Sequence, residues 1–363
     1  MSIVGIRPDI INMCMIVEEL DRRKIPNVLV HAGQHYSFFF DKLFFRELGL
    51  RKPDWHLGIE SGSHGLQTGR LLARSEKVML AEKPDLVFSF SDANTSLAAL
   101  AATKLHLKVG HLEAGMRSND WRMPEEKNRR IVDHISDYLF PPTKIAYRNL
   151  IREGISRSRT FLVGKIIADV VNRFAPQIRR SRILEKLGLS RKEYFVATAH
   201  RPENVDDPKT MASILKAMQM TYDCLEKEIV YPIHPRTRSS VRRFGLKIPA
   251  GIRLTEPLGF FDFAKLESQA LCLMTDSGTV QEEGCIFRVP CVTMRISTER
   301  QETVEVGSNV VAGLDSKRIF DSVKKMIDTA KEWANPYPVG ATRKIVDTAL
   351  ERESDIVTRR VWA

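Results

Sequence analysis

The chain has 363 residues, of which 43% are hydrophobic, 28% charged and 8% aromatic. That length exceeds one ordinary core, so two domains are expected, and collagen-like, low-complexity and largely disordered classes are excluded. The 56 basic and 45 acidic residues leave a net charge of +11, gathered at 152–159, 179–182 and 236–243 without interleaved aromatics; this fits a solvated surface, and no nucleic-acid partner is expected.

In chain order, a short apolar run ends at Gly5, and strand patterns follow at 28–32, 85–90, 107–111 and 138–140. Helical patterns at 36–48, 66–82, 95–104 and 125–137 alternate with them. Residues 161–165 read as a strand ending in Gly164, where a hinge is expected, and the charged stretch 177–192 leads into a second series. There, strands are expected at 194–199, 228–232, 251–254, 271–275 and 290–294, with helices at 208–225, 236–244, 261–269 and 279–286. The last amphipathic stretch, 340–353, follows the turn-rich NPYPVG, and such a tail is expected to pack back onto the first lobe. This alternation predicts an α/β protein of two doubly wound parallel-sheet lobes, 1–164 and 165–338, with 339–363 as a C-terminal helix. Ligands of such folds bind in the crevice at the carboxyl ends of the strands, so polar residues there are the candidate site.

No apolar window is long enough to span a membrane, and MSIVGIRPD carries no basic stretch ahead of an apolar core, so neither a membrane partner nor a signal peptide is expected. Cys14, Cys224, Cys272, Cys285 and Cys291 form no CxxC pair. A zinc ribbon is therefore not expected, and a reducing, cytoplasmic setting is.

At the first strand end, GIRPD offers a tight turn at Gly5 and a cation, Arg7, at a helix start, where an anion would sit. Asp92 in SDANT, Glu113 in GHLEAGMRS and Glu125 in PEEKNR fall at neighbouring strand or helix ends. Asp92 alone is an ordinary cap and Glu125 an ordinary helix start, while Glu113, between Gly-rich flanks after a buried strand, needs a partner or a role. Carboxylates crowded together cannot all ionise freely, which is how one residue type supplies both an acid and a base. In the second series, AHRPEN ends a strand with His200, and DSGTVQEE offers Ser277, Gly278 and Thr279 to a phosphate at a helix start, with Glu283 one turn on. Arg300 follows in STERQ. No cluster has metal-ligand spacing, so neither metal nor cofactor is expected.

Together, GIRPD, SDANT, GHLEAGMRS, PEEKNR, AHRPEN, YPIHPRT, DSGTVQEE and STERQETVEVG resemble the non-hydrolysing UDP-N-acetylglucosamine 2-epimerases in order and approximate spacing, over nearly the whole chain. The resemblance implies a GT-B fold with a central cleft, a UDP-sugar substrate and a homodimer. By it, Asp92, Glu113, Glu125 and His200 match catalytic positions, and Arg7, Phe263, Ser277, Gly278, Thr279, Glu283 and Arg300 match nucleotide-sugar contacts. Gln34, His35 and Arg70 match a second, allosteric site, while His111 and His134 match no such position and read as structural. The chain departs from the family pattern at Asn12, where many bacterial members have a lysine, at Phe90-Ser91 in place of His-Gly, at Leu258, and at Ser37 in place of the allosteric glutamine.

The implied reaction inverts carbon 2 of a UDP-linked N-acetylhexosamine by eliminating UDP to a 2-acetamidoglucal and adding it back. Glu113 and Asp92 are the expected base and acid pair, either way round, with Glu125 assisting and His200 stabilising or protonating the leaving diphosphate. Related members act on diacetamido uronates or 6-deoxy sugars. A GT-B glycosyltransferase is the rival enzyme class, and product from UDP-sugar alone separates the two. A basic nucleic-acid binder would instead show steep salt dependence and no turnover.

Overall fold

Runs such as LVFSF and YFVAT present no polar face, and each becomes a strand buried on both sides of a parallel sheet. The computed structural model describes residues 1–33, 38–60, 62–328 and 332–361, with side chains described outside 38–41 and 353–361. It divides into two units, Met1–Arg173 with Tyr337–Ala363, and Phe174–Pro336.

The first unit contains β1 (Ser2–Val4), β2 (Leu29–His31), β3 (Trp55–His56), β4 (Leu86–Phe90), β5 (Lys108–Leu112) and β6 (Tyr138–Phe140). They are parallel and ordered β3-β2-β1-β4-β5-β6. The second contains β7 (Tyr194–Thr198), β8 (Glu228–Pro232), β9 (Ile252–Thr255), β10 (Leu273–Thr275), β11 (Cys291–Thr293) and β12 (Asn309–Val311), also parallel, ordered β12-β11-β10-β7-β8-β9. Counted from its own first strand, each sheet follows the same doubly wound order. Each therefore has one switch point, between β1 and β4 and between β7 and β10, where ligands of such sheets bind. Register there pairs Ser2 with Phe88 and Thr198 with Thr275.

Alternation along β7 splits the second core. Phe195 and Ala197 join Ile214, Ile229 and Met274 on one face, while Tyr194 and Val196 join Phe263, Leu266 and Val280 on the other. In the first unit Ile3, Val30, Val87 and Val109 meet Leu71, Val78, Ala99 and Val132 from the covering helices. The helix Ala341–Val361 belongs to the first unit. Asp169 accepts from Thr342 N at 2.7 Å and Thr342 Oγ1 at 2.6 Å, and Arg23 Nη1 lies 2.6 Å from Asp347 Oδ1.

The segment 161–165 and two edge strands, β3 and β12, differ from the sequence expectation. Residues 161–165 form no strand: after an isolated bridge between Leu139 and Thr160, Phe161 N and Val163 N donate to Leu139 and Pro141 carbonyls at 2.8 and 3.2 Å, and the helix Ile166–Arg173 starts at once. Two bonds beside the end of β6 do not make a ladder. The edge strands β3 and β12 are short and not fully buried, WH being exposed and NVV only partly buried, so neither forms an apolar run that stands out. The stretch 177–192 holds the end of the helix Ala175–Arg180 and the helix Ile183–Leu187. No helix among the described residues is long and apolar enough to cross a membrane.

Candidate active site

Arg7, Asp92 and Glu113 follow β1, β4 and β5, three adjacent strands, so the first sheet brings them to one edge of the unit. Arg7 opens the helix Arg7–Arg22 with its guanidinium carbon 5.6 Å from the centre of the Phe44 ring. Asp9, one turn on, accepts from Gly5 N at 3.0 Å, Ile6 N at 3.3 Å and Thr95 Oγ1 at 2.8 Å, tying the β1 end to the segment after Asp92. Burial pushes the Asp9 carboxyl up to about 7; the three hydrogen bonds oppose that shift and the charge of Asp92 adds to it.

Asp92 is half-buried and pairs with the Arg129 guanidinium, while its backbone carbonyl accepts from Asn128 Nδ2 at 3.0 Å. Both partners lie on the helix Pro124–Ile135, whose first turn carries Glu125 and Glu126. These neighbours differ. Glu125 keeps partial exposure, whereas Glu126 is fully buried and accepts from Ser118 N and Arg129 Nη2, both at 2.9 Å. Burial would raise Glu126, but Arg129 and Ser118 outweigh it and hold the carboxyl below its usual value. Glu126 thus anchors the arginine that holds Asp92.

Glu113 has φ +63, a left-handed conformation uncommon for a side chain of this size, and it is 6% exposed. Its Oε1 lies 2.6 Å from Nζ of Lys165, which is itself fully buried and 3.4 Å from Met116 Sδ. Beyond it, Gly115 must be glycine: at φ +78 a Cβ would lie 2.2 Å from the Ala146 carbonyl oxygen. Asp133 braces this turn, accepting from Gly115 N at 3.1 Å and pairing with Arg117 and His111 at 2.7 Å each. Burial opposes its ionisation, and His111 and Arg117 overcome that to hold it below the usual carboxylate value. The other ring nitrogen of His111 faces the Ser91 carbonyl at 2.8 Å, so this histidine secures the residue before Asp92. Exposed His134 contacts only its own helix in the bonds seen, at the Arg130 carbonyl, 2.8 Å.

In the second unit His200 follows β7, and Asp276 and Ser277 follow the adjacent β10. Asp276 is fully buried and its Oδ2 accepts from His200 N at 2.8 Å, Arg201 N at 2.9 Å and Asn204 Nδ2 at 3.1 Å. Its Oδ1 lies 3.1 Å from Nδ1 of half-exposed His200. Burial opposes the charge, yet His200 and the backbone donors bring Asp276 down to about 2.

Ser277 precedes the helix Gly278–Phe287 and makes no capping bond with its side chain. Its hydroxyl and the first backbone N–H groups, including that of Thr279, form a site suited to an anion. Arg300, after β11, pairs with Glu282 and lies 3.4 Å from Glu299. A Cβ on Gly278 would sit 2.8 Å from Glu299 Oε1 and 3.1 Å from Arg300 Cζ, so the arginine approaches this helix start only because residue 278 has no side chain. Thr298 Oγ1 donates to Gln281 Oε1 at 2.7 Å and holds the arginine-bearing loop on the same helix. Glu283 is buried on that helix. Phe263 is 3% exposed and packs in the core with Tyr194 and Leu266, with Leu258 against the same cluster.

Gln34, His35 and Ser37 lie outside the described residues. Arg70 donates to the Ile59 carbonyl at 3.2 Å and stands 3.7 Å from Glu60. Asn12 turns inward and donates to the Pro8 carbonyl at 2.9 Å. Sequence reasoning missed Lys165, Arg129 and Asp276 as partners of candidate site residues. Arg129 and Asp276 lie within quoted or adjoining motif segments and were open to notice, whereas no local pattern marks Lys165. Among the described residues no group of three or more His, Cys, Asp or Glu could hold a metal ion.

A family model for UDP-N-acetylglucosamine 2-epimerase matches residues 18–350. The chain is 45% identical over 353 residues to the UDP-N-acetylglucosamine 2-epimerase of Methanococcus maripaludis, covering 95% of this chain and 96% of that protein. It is 39% identical to the UDP-2,3-diacetamido-2,3-dideoxy-D-glucuronate 2-epimerase of Pseudomonas aeruginosa, covering 89% and 91%. The crystal structure of Methanocaldococcus jannaschii UDP-GlcNAc 2-epimerase in complex with UDP-GlcNAc and UDP matches with a TM-score of 0.92 at 41% identity, covering 97% of this chain and 99% of that one. With two parallel six-stranded sheets of the GT-B kind and these matches along nearly its whole length, the chain belongs to the UDP-N-acetylglucosamine 2-epimerase family.

Proposed function

We propose that this protein is an isomerase that interconverts UDP-N-acetylglucosamine and UDP-N-acetylmannosamine. The observation that carries this reading is the match, at 41% identity and a TM-score of 0.92, to an epimerase described in complex with UDP-GlcNAc and UDP. The hydrogen on carbon 2 is not beside a carbonyl, so removing it as a proton requires the carbon 1–oxygen bond to UDP to break with it. Asp92 and Glu113 form the acid–base pair: the carbon 2 proton passes to one, UDP leaves carbon 1, and a glucal forms. UDP then adds back to carbon 1 while a proton arrives at the opposite face of carbon 2. Glu125 assists, and His200, oriented by Asp276, stabilises or protonates the departing diphosphate. Arg7, Arg300 and the Ser277-Gly278-Thr279 helix start neutralise diphosphate charge, with Phe263 and Glu283 as further nucleotide-sugar contacts.

A second reading has a specific observation behind it, the 39% identity to a diacetamido-glucuronate 2-epimerase. The same chemistry then acts on a modified sugar. On family membership we also take the enzyme to be a cytoplasmic homodimer in glycan precursor synthesis, and sedimentation of the purified chain tests the dimer. Because Ser37 replaces the allosteric glutamine, activation through Gln34, His35 and Arg70 is expected to be weak or absent.

Incubation with UDP-N-acetylglucosamine in heavy water tests the main reading. UDP-N-acetylmannosamine carrying deuterium at carbon 2 is expected. Turnover without solvent isotope would refute proton abstraction. A higher kcat/KM on the diacetamido uronate, run in parallel, would replace the substrate.

A further inference from the structure

Lys165 is fully buried against a candidate site residue, and the mechanism above does not use it. Its side chain is fully enclosed, and its ammonium ends 2.6 Å from Oε1 of Glu113. The carboxylate it meets is 6% exposed and rises from a left-handed residue, φ +63. An ammonium and a carboxylate are each costly to bury alone, and a left-handed glutamate costs more backbone energy than an extended one. Finding all three at one contact means the surrounding fold over-determines the pair, a pattern typical of functional sites.

Charged groups on the neighbouring elements bond to one another. Asp133 is held by His111 and Arg117, Glu153 by Arg117 and Arg130, and Asp92 and Glu126 by Arg129. Asp9 is held by the first turn of its own helix and Thr95.

Resting on the reading of this protein as a 2-epimerase, we propose that Lys165 is a positioning residue. Its buried ammonium keeps Glu113 ionised and fixed in direction, and so gives Glu113 the proton-abstracting half of the acid–base pair. Lys165 itself touches neither sugar nor diphosphate in this scheme. Its contribution reaches the reaction through the carboxylate.

The test separates this proposal from the reading beneath it by using two readouts on the full chain. The first is an infrared pH titration of the Glu113 carboxyl band, identified as the band missing in Glu113→Gln. In Lys165→Met the protonated band is expected at a pH about one unit or more above wild type, and Lys165→Arg is expected to restore the wild-type position. Superimposable titrations of wild type and Lys165→Met would overturn the proposal whether or not the protein turns over UDP-N-acetylglucosamine. The second readout is kinetic. The acidic limb of kcat/KM moves to higher pH in Lys165→Met, kcat on that limb falls about tenfold for each unit of displacement, and KM stays within about twofold. An active wild type whose acidic limb is unmoved by Lys165→Met would overturn the base assignment alone. An inactive wild type would overturn the epimerase reading and leave the infrared result to decide the pair. Should Lys165→Met fail to fold, the double variant Lys165→Met with Glu113→Gln removes both charges and is expected to fold. A double variant that also fails would assign Lys165 to packing and overturn the proposal.

Discussion

Replacing Asp276 by Asn tests the best-defined electrostatic feature of the second unit. The carboxylate is fully buried, three N–H donors at 2.8, 2.9 and 3.1 Å converge on Oδ2, and His200 Nδ1 lies 3.1 Å from Oδ1. A lowering from 3.8 to about 2 corresponds to roughly 2 kcal/mol of stability at neutral pH. The sign follows from the depressed value: the contribution is present above the unfolded value of 3.8 and is lost as pH falls through about 2. An asparagine can offer its oxygen to the same three donors, but only as a neutral acceptor. Its NH2 then points at His200 Nδ1, which must accept instead of donate, and this reverses the ring tautomer. Thermal unfolding of Asp276→Asn at about pH 7 is expected roughly 4–8 °C below wild type, from 2–4 °C per kcal/mol for a domain of this size. In urea the gap between the two proteins should shrink to roughly a third of its neutral-pH size by about pH 2.5 and close below about 2. Turnover should fall roughly 100-fold with UDP affinity nearly unchanged, since the histidine loses its orienting partner and the helix start does not. A stability gap equal at pH 7 and pH 2.5, or a variant with wild-type kcat, would refute the reasoning.

Three further outcomes follow from single contacts. Gly115→Ala places a Cβ 2.2 Å from the Ala146 carbonyl oxygen and 2.7 Å from Leu150 Cγ at φ +78; urea unfolding should show a loss of about 3 kcal/mol or more, from overpacking plus a left-handed alanine. Asp9 is raised from 3.8 to about 7, so the stability linked to it is present below 3.8 and lost as pH rises through about 7. Asp9→Asn keeps an acceptor for Gly5 N, and differential scanning between about pH 6 and pH 8 should show a declining wild-type Tm beside a flatter variant. Glu113→Gln, Asp92→Asn and Glu125→Gln should each lose roughly 100-fold or more in kcat while still binding UDP by calorimetry. A Glu113→Gln variant with near-normal rate would mark that carboxylate as structural.

The sequence by itself determined the alternation of strands and helices, and with it the α/β class and the strand ends. Apolar runs such as LVFSF and YFVAT are local signals, and the polar residues that close them, Asp92 after β4 and His200 after β7, stand beside them in the chain. The motif set, read as a resemblance, carried the family. Residues 161–165 look like a strand locally but are not one, because a strand is defined by its partner: that extended segment makes two bonds beside β6 and no ladder. Strand order was likewise beyond local reading, and it is the order that puts β1 between β2 and β4, and β10 between β11 and β7. Only the tertiary structure decided which counter-charge meets each site residue. Arg129 reaches Asp92 across 37 positions, Asp276 reaches the His200 backbone across 76, and Lys165 meets Glu113 from a later segment. A carboxylate in the sequence shows that a charge exists. Its protonation and direction depend on what is buried beside it, because in a desolvated site the neighbouring cation and the hydrogen-bond donors, not the residue type, determine whether that charge is retained.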